Sequence, residues 1–428
     1  MGKNDQFANI AIAGIHAEGK GLKMPVPEEI EQKPLPLQKG AGAERRIKNQ
    51  SIRTQEELRR ELDRKKAYYR PFLQRLTPTL PSLRERKTLE RFSWRVETEQ
   101  DRQEFQRVLL GEGQWEEVVI PHYGAPLGKA AACYRTIFQM EALEADRSVF
   151  LHFCGVDYRA QVFVNGSCAG THEGFFAPFE CDITDCLKEG ENILVVRVEN
   201  DFVQKRSSSE PEGRSYGGDK LYAATGPGYD DPAMGWHHCP PGMGIYQDVW
   251  LEVRSRCFVQ DIFVRPILEE SRAEAWIRVF TCDQAFEDVY FELSLYGRNF
   301  KHTVFENRVY VPETERQVGM GDTFTEANLI AGGQLHKPVH MYMEKGANDV
   351  RIPFDIPDCR KWEWEEPWLY ELQVAVKRRD GMVLDTERAC FGMRSFTMDT
   401  EHIPKGGFFF NGRSVKLRGA NTMGHEQQ

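Results

Sequence analysis

The residue types best suited to chemistry lie in and just after a segment rich in glycine. Residues 204–235 contain six glycines and three prolines, and Tyr229, Asp231, His237 and His238 lie within or directly behind them. A segment of this kind inside a compact domain is typically either functional or disordered. Tyrosine rings favour function, because a flexible linker has little use for them. We therefore interpret these four residues as candidate ligand contacts.

Several kinds of chemistry are open to this segment. With Cys239, the two histidines have the residue types of a zinc site. Neighbouring side chains on an extended segment point to opposite faces, however, and rarely converge on one ion. Asp230 and Asp231 form an acid pair, but adjacent carboxylates have neither the separation nor an evident raised pKa that acid–base catalysis needs. Ligand contact, packing and exposure to solvent remain open, and we predict no metal or other cofactor.

The elements that must position this segment are short β-strands. From about residue 91 onwards, apolar residues recur with a period of two in segments rich in Val, Ile, Phe and Trp. Asn165-Gly166 predicts a type I′ turn, because both residue types tolerate positive φ. Strands at this spacing, without long helices between them, predict a β-sandwich. A second series of six or seven strands over residues 257–400 is typical of an immunoglobulin-like sandwich, with residues 299–346 interpreted as an inserted loop.

The first ninety residues differ from the rest of the chain in pattern and charge. Thr54 and Glu57 form a capping box, followed by leucines at helical spacing, and predict one amphipathic helix that ends near Tyr69. Residues 41–91 hold 15 basic and 7 acidic side chains, whereas residues 92–428 carry a net charge of −17. An acidic body repels phosphate backbones, and no aromatic platform accompanies the basic segment. We therefore predict no nucleic-acid partner.

Composition also bears on the compartment. No stretch approaches the roughly 18 consecutive apolar residues of a membrane helix, and the first twenty residues lack the pattern of a signal segment. The ten cysteines include no Cys-x-x-Cys pair. These features predict a cytoplasmic protein with free thiols and no membrane partner.

Five separated motifs carry a family resemblance. They are the segment Leu151–Asn200, GIYQDVWLEV at 244–253, WEEPWLYEL at 364–372, FGMR at 391–394 and FFFNGRSVKLRGAN at 408–421. In this order they resemble glycoside hydrolase family 2, which comprises β-galactosidases, β-glucuronidases and β-mannosidases. The first two resemble its jelly-roll sugar-binding domain, the next two its immunoglobulin-like domain, and the last its entry into the catalytic barrel.

The resemblance implies a mainly β protein. It predicts a jelly-roll, galactose-binding-like β-sandwich followed by an immunoglobulin-like β-sandwich, with a helical N-terminal extension and the first strand of a (β/α)8 barrel. The predicted domains are an N-terminal arm at 1–90, the jelly-roll domain at 91–255, the immunoglobulin-like domain at 256–400 and the start of the barrel at 401–428. Most motif residues have a structural interpretation: Gly155 and Gly166 suit turns, Asp182-Ile183-Thr184 suits a side-chain-capped turn, and Phe175, Phe179 and Trp250 suit the core.

The resemblance also bears on the site. The family carries both catalytic glutamates late in its barrel, so it implies that this chain holds no catalytic residue and is inactive alone. In relatives, an aspartate six residues ahead of the glycine matched by Gly244 binds a sugar hydroxyl. That position is His238 here, and alignment on Gly235-Trp236 gives His237. Asn421 and His425 resemble a barrel-strand motif whose histidine contacts substrate, with two extra residues between them.

The predicted function is the non-catalytic N-terminal portion of a retaining β-glycosidase of the β-galactosidase type, which shapes the rim of the substrate pocket and makes oligomer contacts. The predicted partners are a β-linked carbohydrate and either further copies of the chain or a separate catalytic barrel chain. A stand-alone carbohydrate-binding or interaction module, or one chain of a split glycosidase, remains open. A binding module should end at a finished strand near Thr400, whereas the apolar segment that begins at Phe408 should not stay exposed without a partner, which favours a truncated or a split enzyme.

Overall fold

A computed structural model describes most of the chain after residue 53. The described residues are 54–126, 130–200, 202–204, 218–220, 242–282, 286–287, 289–318, 322–329, 342–343, 345–401, 406–417 and 419. The predicted site residues Tyr229, Asp231, His237, His238, Asn421 and His425 lie outside them.

Helix α1 (Gln55–Tyr69) begins at the predicted capping box. The Thr54 hydroxyl accepts from the Glu57 amide, and the Glu57 carboxylate accepts from the Thr54 amide. The helix buries none of its side chains, and a 3-10 turn at Arg70–Leu73 follows it. The hydroxyls of Tyr68 and Tyr69 at its end donate to the carbonyls of Glu365 and Trp364 at 2.9 and 3.0 Å. Within the described residues, no helix is long and apolar enough to cross a membrane.

The first β-sandwich consists of two antiparallel sheets. Their strands are β1 (Glu85–Thr88), β2 (Arg91–Val96), β3 (Glu116–Val119), β4 (Ala131–Met140), β5 (Arg147–Phe153), β6 (Arg159–Val164), β7 (Ser167–Glu173), β8 (Phe179–Asp182), β9 (Gly190–Glu199) and β12 (Val249–Ser255). The six-stranded sheet has the order β3-β2-β4-β9-β6-β7, and the four-stranded sheet has the order β1-β12-β5-β8. Two short helices, α2 (Glu99–Gln103) and α3 (Phe105–Leu110), follow β2.

The period of two in the sequence separates the two faces of the six-stranded sheet. In β6, Ala160, Val162 and Val164 are buried in the core shared with the four-stranded sheet, and the side chains between them face outward. Part of this outer face is covered, because Val108 and Leu109 of α3 pack there against β4 and β9. Asn165 and Gly166 join β6 to β7 with φ values of +49° and +84°, which confirms the predicted hairpin.

The second β-sandwich is built on one curled sheet. Its strands are β13 (Cys257–Ile267), β14 (Arg272–Thr281), β16 (Val289–Gly297), β17 (Thr303–Val318), β18 (Asp322–Leu329), β20 (Gly346–Asp355), β21 (Tyr370–Arg378) and β22 (Val383–Phe391). The strand order is β13-β14-β20-β18-β17-β16-β21-β22. The Val259 amide on the first strand donates to Asp385 Oδ2 on the last at 2.9 Å, which brings the two edges together around the core. The predicted fold class, a jelly-roll sandwich followed by an immunoglobulin-like sandwich, is confirmed.

The interpretation of residues 299–346 as an inserted loop is wrong for residues 303–318 and 322–329, while residues 330–341 lie outside the described residues. Strands β17 and β18 form an antiparallel pair from Tyr310↔Leu329 to Val318↔Asp322. The pattern is hidden because the pairing of β17 shifts register against both of its neighbours, so its apolar residues do not keep a strict period of two.

Three small sheets complete the described structure. They are β10 (Phe202–Gln204) with β11 (Gly218–Lys220), β15 (Phe286–Glu287) with β19 (Tyr342–Met343), and β23 (Phe396–Asp399) with β24 (Gly407–Phe410) and β25 (Arg413–Val415). The nine cysteines within the described ranges are all free, as predicted.

Charged side chains join the two sandwiches. Arg84, just before β1, binds Asp385 of β22 at 2.6 Å and also contacts Glu252 and Glu387. Arg254 of β12 lies over the rings of Phe150 and Phe258, with its guanidinium carbon 3.6 and 3.8 Å from their centroids. The junction is therefore a set of paired, largely desolvated charges and rings.

Candidate functional site

The candidate site lies at one end of the jelly-roll sandwich, where three backbone segments meet. Residues 242–246 form the central segment. The Gly124 and Met243 amides donate to each other's carbonyls at 3.1 and 2.9 Å, and the Asp157 and Gly244 amides do the same at 2.9 and 3.2 Å. The central segment is thus held on both sides by backbone hydrogen bonds.

A buried carboxylate reinforces this junction. Asp157 has no solvent exposure, and the Tyr123 hydroxyl donates to its Oδ2 at 2.8 Å. This buried bond ties the segment of Tyr123 to that of Asp157, so Asp157 serves as an anchor of the junction. Burial, together with the negative charge of Asp157, raises the pKa of Tyr246 and keeps that phenol neutral.

Tyr246 links this anchor to a neighbouring loop. Its ring stacks on Phe175 with centroids 4.5 Å apart and planes 11° apart, and its hydroxyl donates to the Phe175 carbonyl. The same ring covers Gly155, where an added Cβ would lie only 2.6 Å from Tyr246 Cζ. We call Tyr123, Gly155, Asp157, Phe175 and Tyr246 the rim cluster. Gly155 is not in a turn and has no positive φ, so the prediction of a turn is not confirmed; the close approach of the Tyr246 ring is what requires a glycine there.

A second polar pair lies beneath the central segment. His122 Nδ1 is 2.7 Å from the Tyr134 hydroxyl. Burial lowers the pKa of His122 and raises that of Tyr134, so both groups stay neutral at physiological pH. Gly244 approaches them closely, since an added Cβ would lie 2.3 Å from the His122 carbonyl oxygen and its φ is +145°. Only glycine fits this position without displacing the backbone.

The segment singled out by sequence is anchored in the described structure on both sides, at residues 242–246 beside the rim cluster and directly after β9. The stretch that contains Tyr229, Asp231, His237 and His238 enters the central segment at Gly242. At the other flank, the Asn200 amide donates to the Ala130 carbonyl at 3.2 Å, directly after β9. None of the six predicted site residues lies within the described residues, so their proximity is untested. In the part of the chain that the structure describes, no group of His, Cys, Asp and Glu could hold a metal ion.

The prediction of core positions holds for Phe175 but fails for Trp250. Phe175 is 8% exposed, and Phe179 packs partly buried against the core. Trp250 instead lies on the outer face of the four-stranded sheet, because Val249 and Leu251 beside it take the core face. Its ring stacks on His152 at 4.2 Å and lies beneath the guanidinium of Arg86.

Sequence reasoning missed Tyr123, Asp157 and Tyr246. The available signal was Asp157 itself, an acidic residue among apolar residues at the start of a strand, which is costly unless its charge is satisfied. Its partner Tyr123 lies 34 residues earlier, and nothing in the local pattern connects the two.

Comparisons with known proteins agree with this fold. A family model described as the galactose-binding domain-like part of glycosyl hydrolase 2 matches residues 125–240, and one described as glycosyl hydrolases family 2 matches residues 257–394. A β-galactosidase of Alteromonas mediterranea is 26% identical over 304 residues, which make up 71% of this chain and 24% of that protein. A β-galactosidase of Thermoanaerobacter pseudethanolicus is 25% identical over 67% of this chain and 31% of its own length.

Solved structures share the fold. The crystal structure of a Bacteroides uniformis β-glucuronidase superposes with a TM-score of 0.52 and 18% identity, over 78% of this chain and 35% of that chain. The chain belongs to glycoside hydrolase family 2 through its jelly-roll and immunoglobulin-like domains. It spans between about a quarter and a third of the length of the curated relatives described above.

Proposed function

We propose that this chain forms the non-catalytic N-terminal portion of a retaining family 2 glycosidase that acts on β-linked sugars. The rim cluster carries the proposal. It fixes the end of the segment that holds Tyr229, Asp231, His237 and His238, and a rigid base of this kind is what a substrate-contacting loop requires. In this role these four residues contact the sugar at the rim of the substrate pocket, while Asn421 and His425 contribute from the first barrel strand. The galactosidases among the relatives support a β-galactosidase-like substrate.

The three-stranded sheet β23–β25 supports a contact with a further domain or subunit. Phe396 and Met398 are 52% and 55% exposed, and Trp364 nearby is also exposed. Phe396 stacks on Phe408 at 5.5 Å, and Trp364 stacks on the buried Phe410 at 4.6 Å, so the exposed rings of Phe396 and Trp364 are held in an ordered surface. Ordered aromatic surfaces that face water are typical of protein contacts. We propose that this surface packs on a catalytic barrel, as part of a longer chain or as a separate one, and that the chain is inactive without it.

Turnover assays test the proposal. The purified chain is incubated with nitrophenyl β-galactoside, β-glucuronide, β-mannoside and β-glucoside, and we expect no release of nitrophenol. Turnover that copurifies with the chain would show that catalytic groups lie within these 428 residues and would overturn the proposal.

The alternatives give different results in the same preparation. A stand-alone carbohydrate-binding module would show a rise in melting temperature with free galactose or another monosaccharide, without a requirement for any barrel. One chain of a split glycosidase would gain turnover when a separately expressed family 2 barrel is added.

Sedimentation velocity of the chain and of a Phe396→Ser, Met398→Ser variant tests the oligomer contact, since association through β23–β25 should be lost in the variant.

A further inference from the structure

A second polar site lies on the outer face of the jelly-roll domain, beside the rim cluster. Two adjoining hollows of about 260 and 290 Å³ share the side chains of Arg197 and Glu199. The floor of the first hollow is formed by β7, β6 and β9. The second is lined by β9, by Ala130 and Ala131 at the start of β4, and by the side chain of Arg102 from α2. Each hollow is close to the lower end of the roughly 300–1,000 Å³ range of small-molecule pockets. We call this feature the outer groove.

The register of the three strands sets out the polar groups in two rows. Glu173, Arg159 and Glu199 are paired across the strands in one row, and Thr171, Gln161 and Arg197 are paired in the next. The first row therefore alternates acceptors with a donor, and the second combines a hydroxyl and an amide, which both donate and accept, with a guanidinium, which donates. Neighbouring members of a row are separated by the spacing of β-strands, which is about 4.8 Å. This spacing is similar to the distance between hydroxyl groups on opposite sides of a pyranose ring.

The side chains in these rows are held in place. Arg197 makes two bonds to the buried carboxylate of Glu97, at 2.6 and 2.9 Å, and reaches Glu199 at 3.0 Å and Gln161 at 3.3 Å. Arg159 binds Glu173 at 3.1 Å. The pair with the buried Glu97 fixes Arg197, whereas the Arg159–Glu173 pair is about half exposed and restrains its partners less. A ligand that hydrogen-bonds to Arg197 therefore meets a preorganised group.

The charge balance indicates the class of ligand. Three arginines, at 102, 159 and 197, pair with four glutamates, at 97, 99, 173 and 199. An anionic ligand would have to displace a carboxylate from its guanidinium and leave that carboxylate without its partner, which is costly. A neutral, polyhydroxylated ligand adds hydrogen bonds without breaking a pair.

We infer that the outer groove binds a neutral saccharide. It lies beside the rim, since Arg159 is two residues after Asp157 and Glu173 is two residues before Phe175. The groove is therefore suited to more distant units of a chain whose end lies at the rim. The choice of a saccharide among neutral polyols rests on the proposed function.

Calorimetric titration of the purified chain tests the inference. The probes are β-linked tetrasaccharides of galactose, glucose and mannose, and β-linked tetramannuronate, which differs from the mannose tetrasaccharide only in having carboxylates in place of the hydroxymethyl groups. At least one neutral tetrasaccharide should bind saturably below about 10 mM, and tetramannuronate should bind more weakly than its neutral match. Absence of saturable binding, or tighter binding of tetramannuronate, would overturn the inference.

Two variants locate the site. Thr171→Arg places a long side chain in the groove from an exposed position and should raise Kd by about tenfold or more. Gln161→Leu removes hydrogen-bonding groups from the second row and should also weaken binding. Thr397→Arg, at an exposed strand position in the three-stranded sheet, is the matched control and should leave Kd unchanged. Circular dichroism and melting temperature establish that each variant is folded.

The rim requires a separate variant. His237→Ala combined with His238→Ala alters the predicted rim contacts and should leave tetrasaccharide binding by the groove intact. Loss of binding in this variant, with wild-type affinity in Thr171→Arg, would place the ligand at the rim and refute the groove. Neither result depends on turnover. If the outer groove binds no saccharide, the proposed function still stands. If the chain releases nitrophenol, the proposed function is overturned and the inference about the outer groove is unaffected.

Discussion

The close approach of Tyr246 to Gly155 makes the sharpest stability prediction. An alanine Cβ at position 155 would lie 2.6 and 2.9 Å from two ring carbons of Tyr246 and 2.7 Å from its hydroxyl oxygen, whereas carbon atoms in contact prefer about 3.5–4.0 Å. The ring must therefore move by about 1 Å, away from a position fixed by stacking on Phe175 and by the hydrogen bond to its carbonyl. Overpacking of this kind costs about 1–3 kcal/mol, and the reduced freedom of the unfolded alanine chain offsets about 0.4–1 kcal/mol. We expect Gly155→Ala to lower the free energy of unfolding by about 1–2 kcal/mol.

Urea unfolding followed by tryptophan fluorescence measures this loss. Gly407→Ala is the matched control, because its added Cβ would meet only Phe409 at an ordinary 3.5 Å, and its stability should stay within about 0.5 kcal/mol of wild type. In a Tyr246→Leu background the further change Gly155→Ala should cost much less, which a double-mutant cycle reports as coupling between the two positions. Equal midpoints for Gly155→Ala and Gly407→Ala, or no coupling to Tyr246, would refute the reasoning.

Two further predictions concern the ion pairs. The Arg84 side chain is 9% exposed and that of Arg86 is 57% exposed. Arg84→Met should lower the free energy of unfolding by about 3–5 kcal/mol, because it leaves buried carboxylates without their partner. Arg86→Met should lower it by less than about 1 kcal/mol. Similar urea midpoints for these two variants would contradict the account of the domain junction. For Glu371, burial alone would raise the pKa, but hydrogen bonds from Arg75, Gln373 and Thr77 hold the pKa below its ordinary value. Ionised Glu371 therefore stabilises the fold fully above its unfolded-state pKa, and this stabilisation is lost as the pH falls through the lower folded-state pKa. Between about pH 6 and pH 3, the free energy of unfolding of wild type should therefore fall more than that of Glu371→Gln. Equal losses in thermal melts over this range would argue against a stabilising role for this carboxylate.

Local signals in the sequence predicted local structure well. The capping box at Thr54, the Asn165-Gly166 hairpin and the turn in which Asp182 Oδ1 accepts from the Thr184 amide at 3.0 Å are all confirmed. Each depends on residues within four positions of one another, so the sequence alone contains the whole interaction. The family motifs likewise identified the two sandwiches, while the predicted domain boundaries and site residues stay predictions.

Features that depend on strand order were not accessible in this way. Alternation along β6 shows that Arg159 and Gln161 share a face, but only the pairing of β6 with β7 and β9 places them beside Glu173 and Arg197. The same limitation explains Trp250, whose face is decided by the core positions of Val249 and Leu251. Composition and spacing give the period of a strand, and neighbouring strands decide what each face contacts.

The ion pairs made by residues 75–84 have a consequence for biosynthesis. Arg75 binds Glu371 at 2.7 Å and Arg84 binds Asp385 at 2.6 Å, and the partners lie 296 and 301 residues apart in the chain. Domains generally fold in the order in which they leave the ribosome. The jelly-roll sandwich can therefore form early, whereas the leading segment has to wait for the second sandwich before it finds its partners. The earliest described part of the polypeptide is among the last to reach its final place.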